Sequence, residues 1–508
     1  MPPKLRPREV AYRAPVALDP RTPVVVGGGQ VNQKVAPEEA RPPVALMAEA
    51  ARLAADDAGA AGLLAAVESV RVVMQLSRRY ADPGALVAAD IGAAPRQTAV
   101  TTMGGNSPQT LVNATALSVQ RGELDVALVC GAEAWRTRMA LRKAGRTPDW
   151  PGEPEGTPPA DVLGEELVMN APAETDRGLF MPVQVYPLFE CALRAGAGRT
   201  PAEHADHLGR LWSRFSEVAA GNPAAWNREA MTPEKVRTPT PANRMVGFPY
   251  TKVMNSNNDV DQGSALLICS VEAARRLGVP DDRCVFLHAG TDAHDHTFVS
   301  NRDDLRSSPA IRLAGGRVLE LAGIGVDDLA FVDLYSCFPS AVQVAAAELG
   351  LGLDRQLTVT GGMSFAGGPW NDYVTHAIAT MLPLLRAEPS AWGLCTANGG
   401  YLTKHSFGVY SARPPGEGFR WESVQDAVDT LPARDVAEGF TGPVTVEAYT
   451  VVHERDGSPG TAFVACRTPE DGRAWATSTD ADMLRAMTEE ELVGRDGEID
   501  PDAVLHLS

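Results

Sequence analysis

The chain has 508 residues, enough for three or four domains of about 150 residues each and for a large buried core. Its 44% hydrophobic, 22% charged and 6% aromatic residues are the composition of a folded globular protein. The 46 Lys and Arg against 64 Asp and Glu leave a net charge of −18, which repels phosphate backbones and argues against a nucleic-acid partner. No apolar run approaches the roughly 18–20 residues of a bilayer span, so no membrane span is expected.

The N-terminus and the cysteines both indicate a cytoplasmic protein. Residues 1–15 are basic and rich in proline, and no apolar stretch of a secretory signal follows them. The seven cysteines are scattered and odd in number, without a Cys-x-x-Cys pair, which fits reduced thiols better than a disulfide framework or a zinc finger. We expect no required cofactor and no metal site.

In chain order, β-branched runs alternate with Ala- and Leu-rich stretches, which predicts a layered α/β fold. Strands are predicted at 24–26, 70–74, 126–129, 285–288, 329–334 and 393–396. Apolar residues at i, i+3, i+4 spacing predict helices at 44–58, 109–120, 339–347 and 373–385.

A repeat relates the two halves of this pattern. Similar segments recur at an offset of 260 or 261 residues, and the shared offset predicts a duplicated α/β unit. The pairs are TPVVVGGG at 22–29 with RCVFLHAG at 283–290, SVRVVMQLS at 69–77 with LAFVDLYSC at 329–337, and TAVTTMGG at 98–105 with TVTGGMSF at 358–365.

Two regions depart from the α/β pattern. Residues 145–260 are rich in Pro, Gly and Asn, which predicts an insertion of loops and short helices. Near the C-terminus, strands at 444–453, 461–468 and 474–477 are separated by turn-forming segments, a meander typical of a small β domain. We therefore predict an N-terminal half that includes the insertion, a C-terminal half and an added β domain, over residues 1–280, 281–414 and 415–508.

The segment 98–120 reads as a strand, a glycine turn and a helix. Such a turn exposes the residue at Gly104–Gly105 and points a helix N-terminus at it, which stabilises a thiolate or an oxyanion. Ser107 has half of the Gly-x-Ser-x-Gly pattern of hydrolases, but Gln109 replaces the second glycine. We predict Ser107 as the N-cap of the helix instead.

Two further motifs receive structural interpretations. Gly27–Gly29 follows a strand without the spacing of a dinucleotide fingerprint, so a tight turn at the strand end is predicted. His294 and His296, with His288 and Asp292 nearby, have the residue types of a metal site but lack a convincing third ligand. We predict a polar loop there.

Taken together, the segments resemble the thiolase superfamily, and within it acetyl-CoA acetyltransferases and type 1 thiolase-like proteins of the sterol-carrier-protein type. The resemblance covers about residues 20–412 and implies a duplicated five-layered αβαβα fold with CoA or acyl-CoA as the ligand. It is carried by the strand–turn–helix and by GELDVALVCGAEA at 122–134, DQGSALLICSVEAARRLG at 261–278, DLYSCFPSA at 333–341, GGMSFAGGP at 361–369 and GLCTANGG at 393–400.

The resemblance also locates departures from thiolase chemistry. In the family a turn Cys attacks the acyl-CoA, one His helps form an oxyanion hole, a second His in a Gly-His-Pro block activates the Cys, and a late Cys shuttles the proton. Here Gly105 matches the nucleophile, Tyr335 the first His and Gly368 the second, while Cys395 matches the late Cys. Since glycine offers no nucleophile and takes no proton, ordinary thiolase activity is not expected.

Four side chains at or near these positions are candidates for other chemistry: Tyr335, Cys337, Cys395 and His405. Tyr335 can donate a hydrogen bond or, at a lowered pKa, act as a base. A Tyr at this position is similar to that of thiolase-like retro-aldolases, which cleave a β-hydroxyacyl-CoA. On an extended chain, Cys337 lies on the same face as Tyr335. His405 follows Cys395 in the sequence and is a candidate to replace the missing base. The alternative for all four is a structural role.

A basic cluster at 135–146 interrupts the acidic chain. Arg136, Arg138, Arg142 and Lys143 have the charge that the pyrophosphate and 3′-phosphate of CoA require. The alternative is a solvated helix face.

The C-terminal meander resembles the additional domain of actinobacterial-type thiolase-like proteins and, more loosely, OB-fold subunits. Its excess of acids argues against nucleic-acid binding, so we predict a fused partner that covers or completes the pocket, with Tyr449 and Trp475 as core. Three functions stay open: an acyl-CoA-binding protein without ordinary thiolase activity, which we favour, a retro-aldol C–C lyase that uses Tyr335, and a non-catalytic scaffold. A homodimer and a separate protein partner both stay open.

Overall fold

A computed structural model describes residues 18–508, so the segment that argues against a secretory signal lies outside the described residues. The strands are β1 (Pro23–Asn32), β2 (Ser69–Val72), β3 (Gln97–Thr101), β4 (Val126–Ala134), β5 (Asp161–Leu163), β6 (Met245–Gly247), β7 (Tyr250–Thr251), β8 (Asp261–Ser270), β9 (Val285–His294), β10 (Leu329–Asp333), β11 (Trp392–Gly399), β12 (Lys404–Ser411), β13 (Arg420–Ser423), β14 (Gly442–His453), β15 (Pro459–Arg467), β16 (Arg473–Ser478), β17 (Asp496–Ile499) and β18 (Leu505–Leu507). The helices are α1 (Pro43–Ala58), α2 (Pro83–Ile91), α3 (Ser107–Gln120), α4 (Trp135–Lys143), α5 (Pro172–Thr175), α6 (Pro182–Gly196), α7 (Pro201–Gly221), α8 (Pro233–Arg237), α9 (Val271–Arg276), α10 (Pro309–Ala322), α11 (Pro339–Leu349), α12 (Gly362–Phe365), α13 (Tyr373–Ala387), α14 (Gln425–Asp429) and α15 (Ala481–Glu489).

The two halves of the main body repeat one sheet topology. In the first half the strand order is β1, β8, β4, β2, and in the second half it is β9, β12, β11, β10. The directions repeat as well, since the first two pairings of each half are antiparallel and the last is parallel. The predicted duplication is therefore confirmed: the segments of β1 and β9 and those of β2 and β10 lie at one sequence offset and hold the same places in the two halves. Residues 358–365, which match the segment of β3, form no strand.

The halves meet at β1 and β9 and enclose a layer of helices. Val24 pairs with Phe286 and Val25 with Val285, so that within residues 18–508 the body strands form one sheet of eleven. Helix α3 contacts β11 and β12 of the second half, and α13 contacts β1 and β8 of the first. With α1 on the outer face of the first half and α10 on that of the second, this arrangement gives the expected five-layered αβαβα body.

The predicted strands and helices of the body are confirmed, but the glycine turn predicted at Gly27–Gly29 is wrong. These residues continue β1, with a bulge between Val25 and Gly27. A Cβ added at Gly27 would overlap the carbonyl oxygen of Ala54, and one at Gly29 that of Ala50. Helix α1 therefore packs directly on the backbone of β1, and the glycines provide this close approach rather than a turn.

The prediction of loops and short helices for residues 145–260 holds for much of the segment but is wrong for two long helices. Helix α6 has 15 residues and α7 has 21. Thr200 and Glu203 form a capping box at the start of α7, and each of their side chains accepts a hydrogen bond from the other residue's backbone N–H. Buried Leu208 and Trp212 then repeat at helical spacing. The Pro and Gly content marks the connections and not the helices.

The C-terminal β domain contains the three predicted strands as β14, β15 and β16. Its sheet has the order β16-β15-β14-β17-β18, and β6 of the insertion adds to β14. A bridge between Thr477 and Val504 links the two ends of this order, as closure of a barrel requires. The OB-like assignment stays a prediction, as does the boundary near residue 415. Strand β13, which follows that boundary, pairs with β9 of the main body.

Buried polar contacts attach this domain to the body. Arg473 of β16 donates to the carbonyl oxygens of Val299 and Ser300 at 2.9 and 3.0 Å and pairs with Glu447 at 2.7 Å. Trp475 Nε1 donates to Ser300 Oγ at 2.9 Å, and Tyr449 receives a hydrogen bond from Arg194 at 2.7 Å. Trp475 and Tyr449 are buried, as predicted for core residues. In the part of the chain that the structure describes, no helix combines the length and the hydropathy of a membrane span.

Candidate functional site

The turn between β3 and α3 organises the site. Helix α3 begins at Ser107, whose Oγ donates to the carbonyl oxygen of Thr102 at 3.0 Å. Asn106 stands at the N-cap position, so the prediction of Ser107 as the N-cap is wrong: the chain enters the helix one residue earlier than the pattern indicates. The N–H of Gly104 donates to Asn371 Oδ1 at 3.1 Å, which ties this turn to the loop before α13.

The space beside Gly105 is filled. A Cβ built on Gly105 would overlap the hydroxyl oxygen of Tyr335, lie 2.6 Å from Tyr335 Cζ and lie 2.5 Å from the carbonyl oxygen of Asn398. No side chain fits there without displacement of neighbours. The Tyr335 hydroxyl thus fills the space into which a side chain at residue 105 would project.

Tyr335 lies in the core rather than in an open pocket. Burial raises the pKa of its phenol well above the usual range, with a further increase from Cys337, so the phenol stays protonated at neutral pH. The cavity beside it, which His405 and Asn398 also line, has a volume of about 10 Å³. That volume corresponds to roughly one water molecule. The phenol can donate a hydrogen bond there, but it is a poor base.

The space beside Gly368 is closed as well. A Cβ at Gly368 would overlap Ser256 Oγ, and the N–H of Gly368 donates to the carbonyl oxygen of Asn257 at 2.9 Å. The segment around Ser256 belongs to the insertion and fills the space into which a side chain at residue 368 would project.

The two candidate cysteines are both buried. Burial raises the pKa of Cys337 to about 12 and that of Cys395 well above its usual range. Cys395 lies in the middle of the sheet, opposite Asp333 of β10 and Gly408 of β12. Because the thiolate is the nucleophilic form, these pKa shifts fit two core thiols.

His405 belongs to a buried polar cluster at the start of β12. Its Nε2 lies 3.0 Å from the carbonyl oxygen of Leu402, 3.3 Å from Ser308 Oγ and 3.4 Å from Asp295 Oδ2. Burial alone would raise the pKa of Asp295, but Arg302 and His405 outweigh it and hold that pKa below the usual range. Ser308 and Asp295 face the same ring nitrogen, so the cluster lacks the arrangement of a Ser-His-Asp triad, which uses both ring nitrogens.

The histidines predicted in a polar loop are partly on strand β9, which extends to His294. His288 lies within the strand, where burial lowers its pKa to about 4 and its Nε2 meets the carbonyl oxygen of Arg413 at 2.8 Å. Asp292 accepts hydrogen bonds from Thr110 and Trp421, both at 2.6 Å. Among residues 18–508, no three His, Cys, Asp or Glu side chains are arranged to hold a metal ion.

Helix α4 contains the four residues of the basic cluster, and they fall into two groups. Arg136 donates to the carbonyl oxygen of Val35 at 3.2 Å, and Arg138 donates to that of Leu76. Arg142 and Lys143 lie exposed in the last turn, where they also complement the helix dipole. Only this last pair is free to meet a phosphate without breaking an internal contact.

An open pocket of about 370 Å³, which the sequence did not predict, lies beside the same turn. It lies where β3 and β9 end, and its wall comes from segments distant in the sequence: Thr102, Asn106, Thr110, Ala114, Glu165, Asp292, His294, Lys404 and Gln425. The one sign of this pocket in the sequence is Lys404, because it is the only lysine between residues 253 and 508.

A second missed group is a set of buried acids behind the turn. Burial raises the pKa of Glu133 to about 7 although the N–H groups of Leu76 and Ser77 donate to it at 2.6 and 2.7 Å. Burial also raises the pKa of Asp372 to about 8, so that its carboxyl is largely protonated at neutral pH. Both carboxyl groups are buried in the core, and neither lines an open surface.

Comparisons with known proteins agree with this architecture. The sequence family described as the thiolase-like protein type 1 additional C-terminal domain matches residues 423–503. Over 140 residues, which are 28% of this chain and 34% of the other protein, the chain is 24% identical to an acetyl-CoA acetyltransferase of Methanocaldococcus jannaschii. The match thus spans about a third of the length of that curated relative.

Two solved structures share the fold over most of the chain. The Ltp2–ChsH2(DUF35) aldolase matches 78% of this chain and 99% of its own at 18% identity, with a TM-score of 0.59, which supports the fold alone. A monomeric SCP2-thiolase-like protein type 1 from Mycobacterium smegmatis matches 97% of this chain and 99% of its own at 32% identity, with a TM-score of 0.82. Because this likeness extends over nearly the full length of both proteins, the chain belongs to the family of SCP2-thiolase-like proteins of type 1.

Proposed function

We propose that the protein binds an acyl-CoA thioester and does not carry out thiolase chemistry. The observation that carries this proposal is the closed space at Gly105, where the Tyr335 hydroxyl stands in place of a nucleophilic side chain. The closed position at Gly368 removes the partner base as well. Nucleophilic catalysis needs both a nucleophile and a base within reach of it.

The CoA part of the proposal has two supports. The exposed Arg142 and Lys143 on α4 offer fixed cations on an otherwise acidic protein. The relative from Methanocaldococcus jannaschii carries the name of an enzyme of acetyl-CoA. The proposal includes a cytoplasmic location and a role in lipid metabolism. It also treats the C-terminal domain as a fused structural partner of the main body. The M. smegmatis relative is described as monomeric, which favours a monomer over the homodimer left open above.

The retro-aldol alternative rests on Tyr335 and has less support. Burial keeps the phenol protonated, and the cavity of about 10 Å³ beside it leaves no room for a β-hydroxyacyl group. Turnover of a β-hydroxyacyl-CoA that disappears in Tyr335→Phe would favour this alternative over binding alone.

The proposal is tested by calorimetric titration with CoA and with acetyl-CoA at low and physiological salt, together with a thiolysis assay on acetoacetyl-CoA. We expect saturable binding in the micromolar range and no thiolysis. The double variant Arg142→Ala, Lys143→Ala should bind about tenfold more weakly, because it removes two cations that we propose to contact the phosphates of CoA. Such contacts between exposed charges are salt-dependent. A matched control is Lys235→Ala, Arg485→Ala, which removes two exposed cations from α8 and α15.

Two results would overturn the proposal. Thiolysis by the pure protein would show that Gly105 does not stand at the nucleophile position. Absence of binding of either ligand by a protein with a native circular dichroism spectrum would favour the scaffold alternative.

A further inference from the structure

The pocket of about 370 Å³ beside α3 contains a lysine whose surroundings differ from those of an ordinary surface lysine. Lys404 opens strand β12, and its side chain lines the pocket although the residue is only 8% exposed. Its Nζ donates to the carbonyl oxygen of Met103. Among the described residues, no carboxylate oxygen lies within 4 Å of this amine. Lys404 is therefore a half-enclosed amine without an ion-pair partner.

Two glycines bring Lys404 next to an unpaired acceptor. A Cβ at Gly104 would lie 2.9 Å from Lys404 Nζ and would overlap Asn106 Oδ1, and a Cβ at Gly399 would lie 3.1 Å from Lys404 Cε and overlap the same oxygen. The amine and the amide oxygen thus converge over the space that these glycines leave open. Within residues 18–508, Asn106 Oδ1 is buried and has no hydrogen-bond donor.

The surroundings also shift the amine towards its neutral form. Burial lowers the pKa of Lys404, and the charge of Glu166 only partly opposes this effect. A neutral amine carries the lone pair that attacks a carbonyl carbon. Asp292, which lies in the same wall, is already occupied by hydrogen bonds from Thr110, Asn113 and Trp421 and does not neutralise the lysine.

We propose that this pocket is a second ligand site, which takes a small aldehyde or ketone and binds it covalently as a Schiff base on Lys404. The volume of about 370 Å³ lies in the range of small-molecule sites. The proposal goes beyond acyl-CoA binding, because it assigns Schiff-base chemistry to Lys404, whereas phosphate binding is assigned to Arg142 and Lys143. His405 lines both this pocket and the small cavity beside Tyr335.

The bond changes balance without an added oxidant or reductant. The Lys404 nitrogen forms a bond to the carbonyl carbon, and the electron pair of the C=O bond moves to oxygen, which takes a proton to give a carbinolamine. In the carbinolamine step the nitrogen releases one of its two hydrogens, which supplies the proton that the oxygen takes. The carbinolamine then takes up one proton from solvent and loses its hydroxyl group as water, and the nitrogen keeps its remaining hydrogen in the cationic imine. Asn106 Oδ1 is the acceptor available for the carbinolamine hydroxyl hydrogen.

The test is reductive trapping on the full chain. The protein is incubated with the four-carbon ketone 4-hydroxybutan-2-one and sodium cyanoborohydride at pH 7, and the alkylated lysines are quantified by peptide mass spectrometry. We expect Lys404 to be alkylated at least ten times faster than the exposed Lys143 and Lys235, with a rate that saturates as the ketone concentration rises. In urea this preference should disappear.

A variant that fills the pocket separates site binding from general reactivity. Ala114 lines the pocket on α3, and Ala114→Leu keeps a good helix former while occupying the space. We expect alkylation of Lys404 to slow about tenfold in this variant and to stay unchanged in the matched control Ala140→Leu, which alters an exposed position of α4.

Equal rates at Lys404, Lys143 and Lys235 in the native protein would overturn the proposal, and so would an unchanged rate in a folded Ala114→Leu variant. Should Ala114→Leu fail to fold by circular dichroism, saturation of the wild-type rate decides the question, because a rate that rises linearly with ketone excludes a binding site. No CoA thioester is present, so a negative result leaves the acyl-CoA proposal standing.

Discussion

At position 105 the side chain of a distant tyrosine lies against the backbone of a glycine. Gly105 and Tyr335 are far apart in the sequence, yet the hydroxyl of one occupies the Cβ position of the other. A thiol introduced at residue 105 alone would therefore find no room, because the tyrosine already fills the space that it needs.

The smallest test of this contact is Gly105→Ala. We expect a loss of about 1–3 kcal/mol in the free energy of unfolding, the usual cost of overpacking a core, measured by urea denaturation. The loss should be smaller in the background of Tyr335→Ala, where only the carbonyl of Asn398 remains in the way. Gly316→Ala is the control: it lies within α10 with open space around its Cβ, so a gain of about 0.5–1 kcal/mol is expected. Equal losses for both glycines would contradict the closed site.

At the scale of elements, a buried carboxylate connects the insertion to the body. Glu190 of α6 accepts hydrogen bonds from Tyr250 at 2.6 Å and Gln343 of α11 at 2.7 Å, and its Oε1 lies 2.7 Å from His204 Nε2 of α7. Burial would raise the pKa of Glu190, but His204 and the other donors outweigh it and hold the pKa below its usual range. The insertion is thus fastened by charge as well as by apolar packing.

We expect Glu190→Gln to lower the free energy of unfolding by roughly 3–5 kcal/mol at pH 7, because it removes one partner of a buried pair. The sign of the pH dependence follows from the lowered pKa: the stabilisation is full above about pH 4.3 and is lost as the pH falls through the folded-state value. Urea titrations at pH 7 and pH 3.5 should therefore show the gap between wild type and variant shrinking in acid. Glu217→Gln, on the exposed face of α7, should change little at either pH, and a gap independent of pH would argue against the ionised network.

For the whole molecule, Arg473 is the contact that makes the C-terminal domain part of the fold. Its guanidinium is fully buried, donates to backbone carbonyl oxygens of the loop after β9 and pairs with Glu447. A flexibly tethered domain would leave such groups in water. This contact predicts that body and domain unfold together.

Arg473→Met should lower the free energy of unfolding by about 3–5 kcal/mol, because Glu447 and the carbonyl oxygens lose a buried partner. Arg485→Met, whose side chain is 66% exposed, should change it by no more than about 0.5 kcal/mol. Calorimetry provides the measurement. A single transition that moves as a whole in Arg473→Met supports cooperative unfolding, whereas a low-temperature transition of the C-terminal domain alone would contradict it.

Local sequence patterns determined most elements of the two halves and their duplication, but not the long helices α6 and α7. Apolar periodicity predicts helix α3 and the strands that precede Gly27, Gly105 and His294. These elements are predictable because hydrogen bonding within a helix and alternation along a strand are set by neighbours in the chain. The shared offset determined that the two halves have one topology, and the departures at Gly105 and Gly368 are visible as residue types alone.

Only the tertiary structure decided what fills those departures. That Tyr335 closes Gly105, that Ser256 closes Gly368 and that Lys404 faces an open pocket are contacts between segments up to hundreds of residues apart. The same limit explains the errors at Gly27–Gly29 and Ser107, whose roles depend on the helix and the turn packed against them. Periodicity reports which face of an element is buried, but not which distant side chain covers it, since that is settled only when the layers pack together.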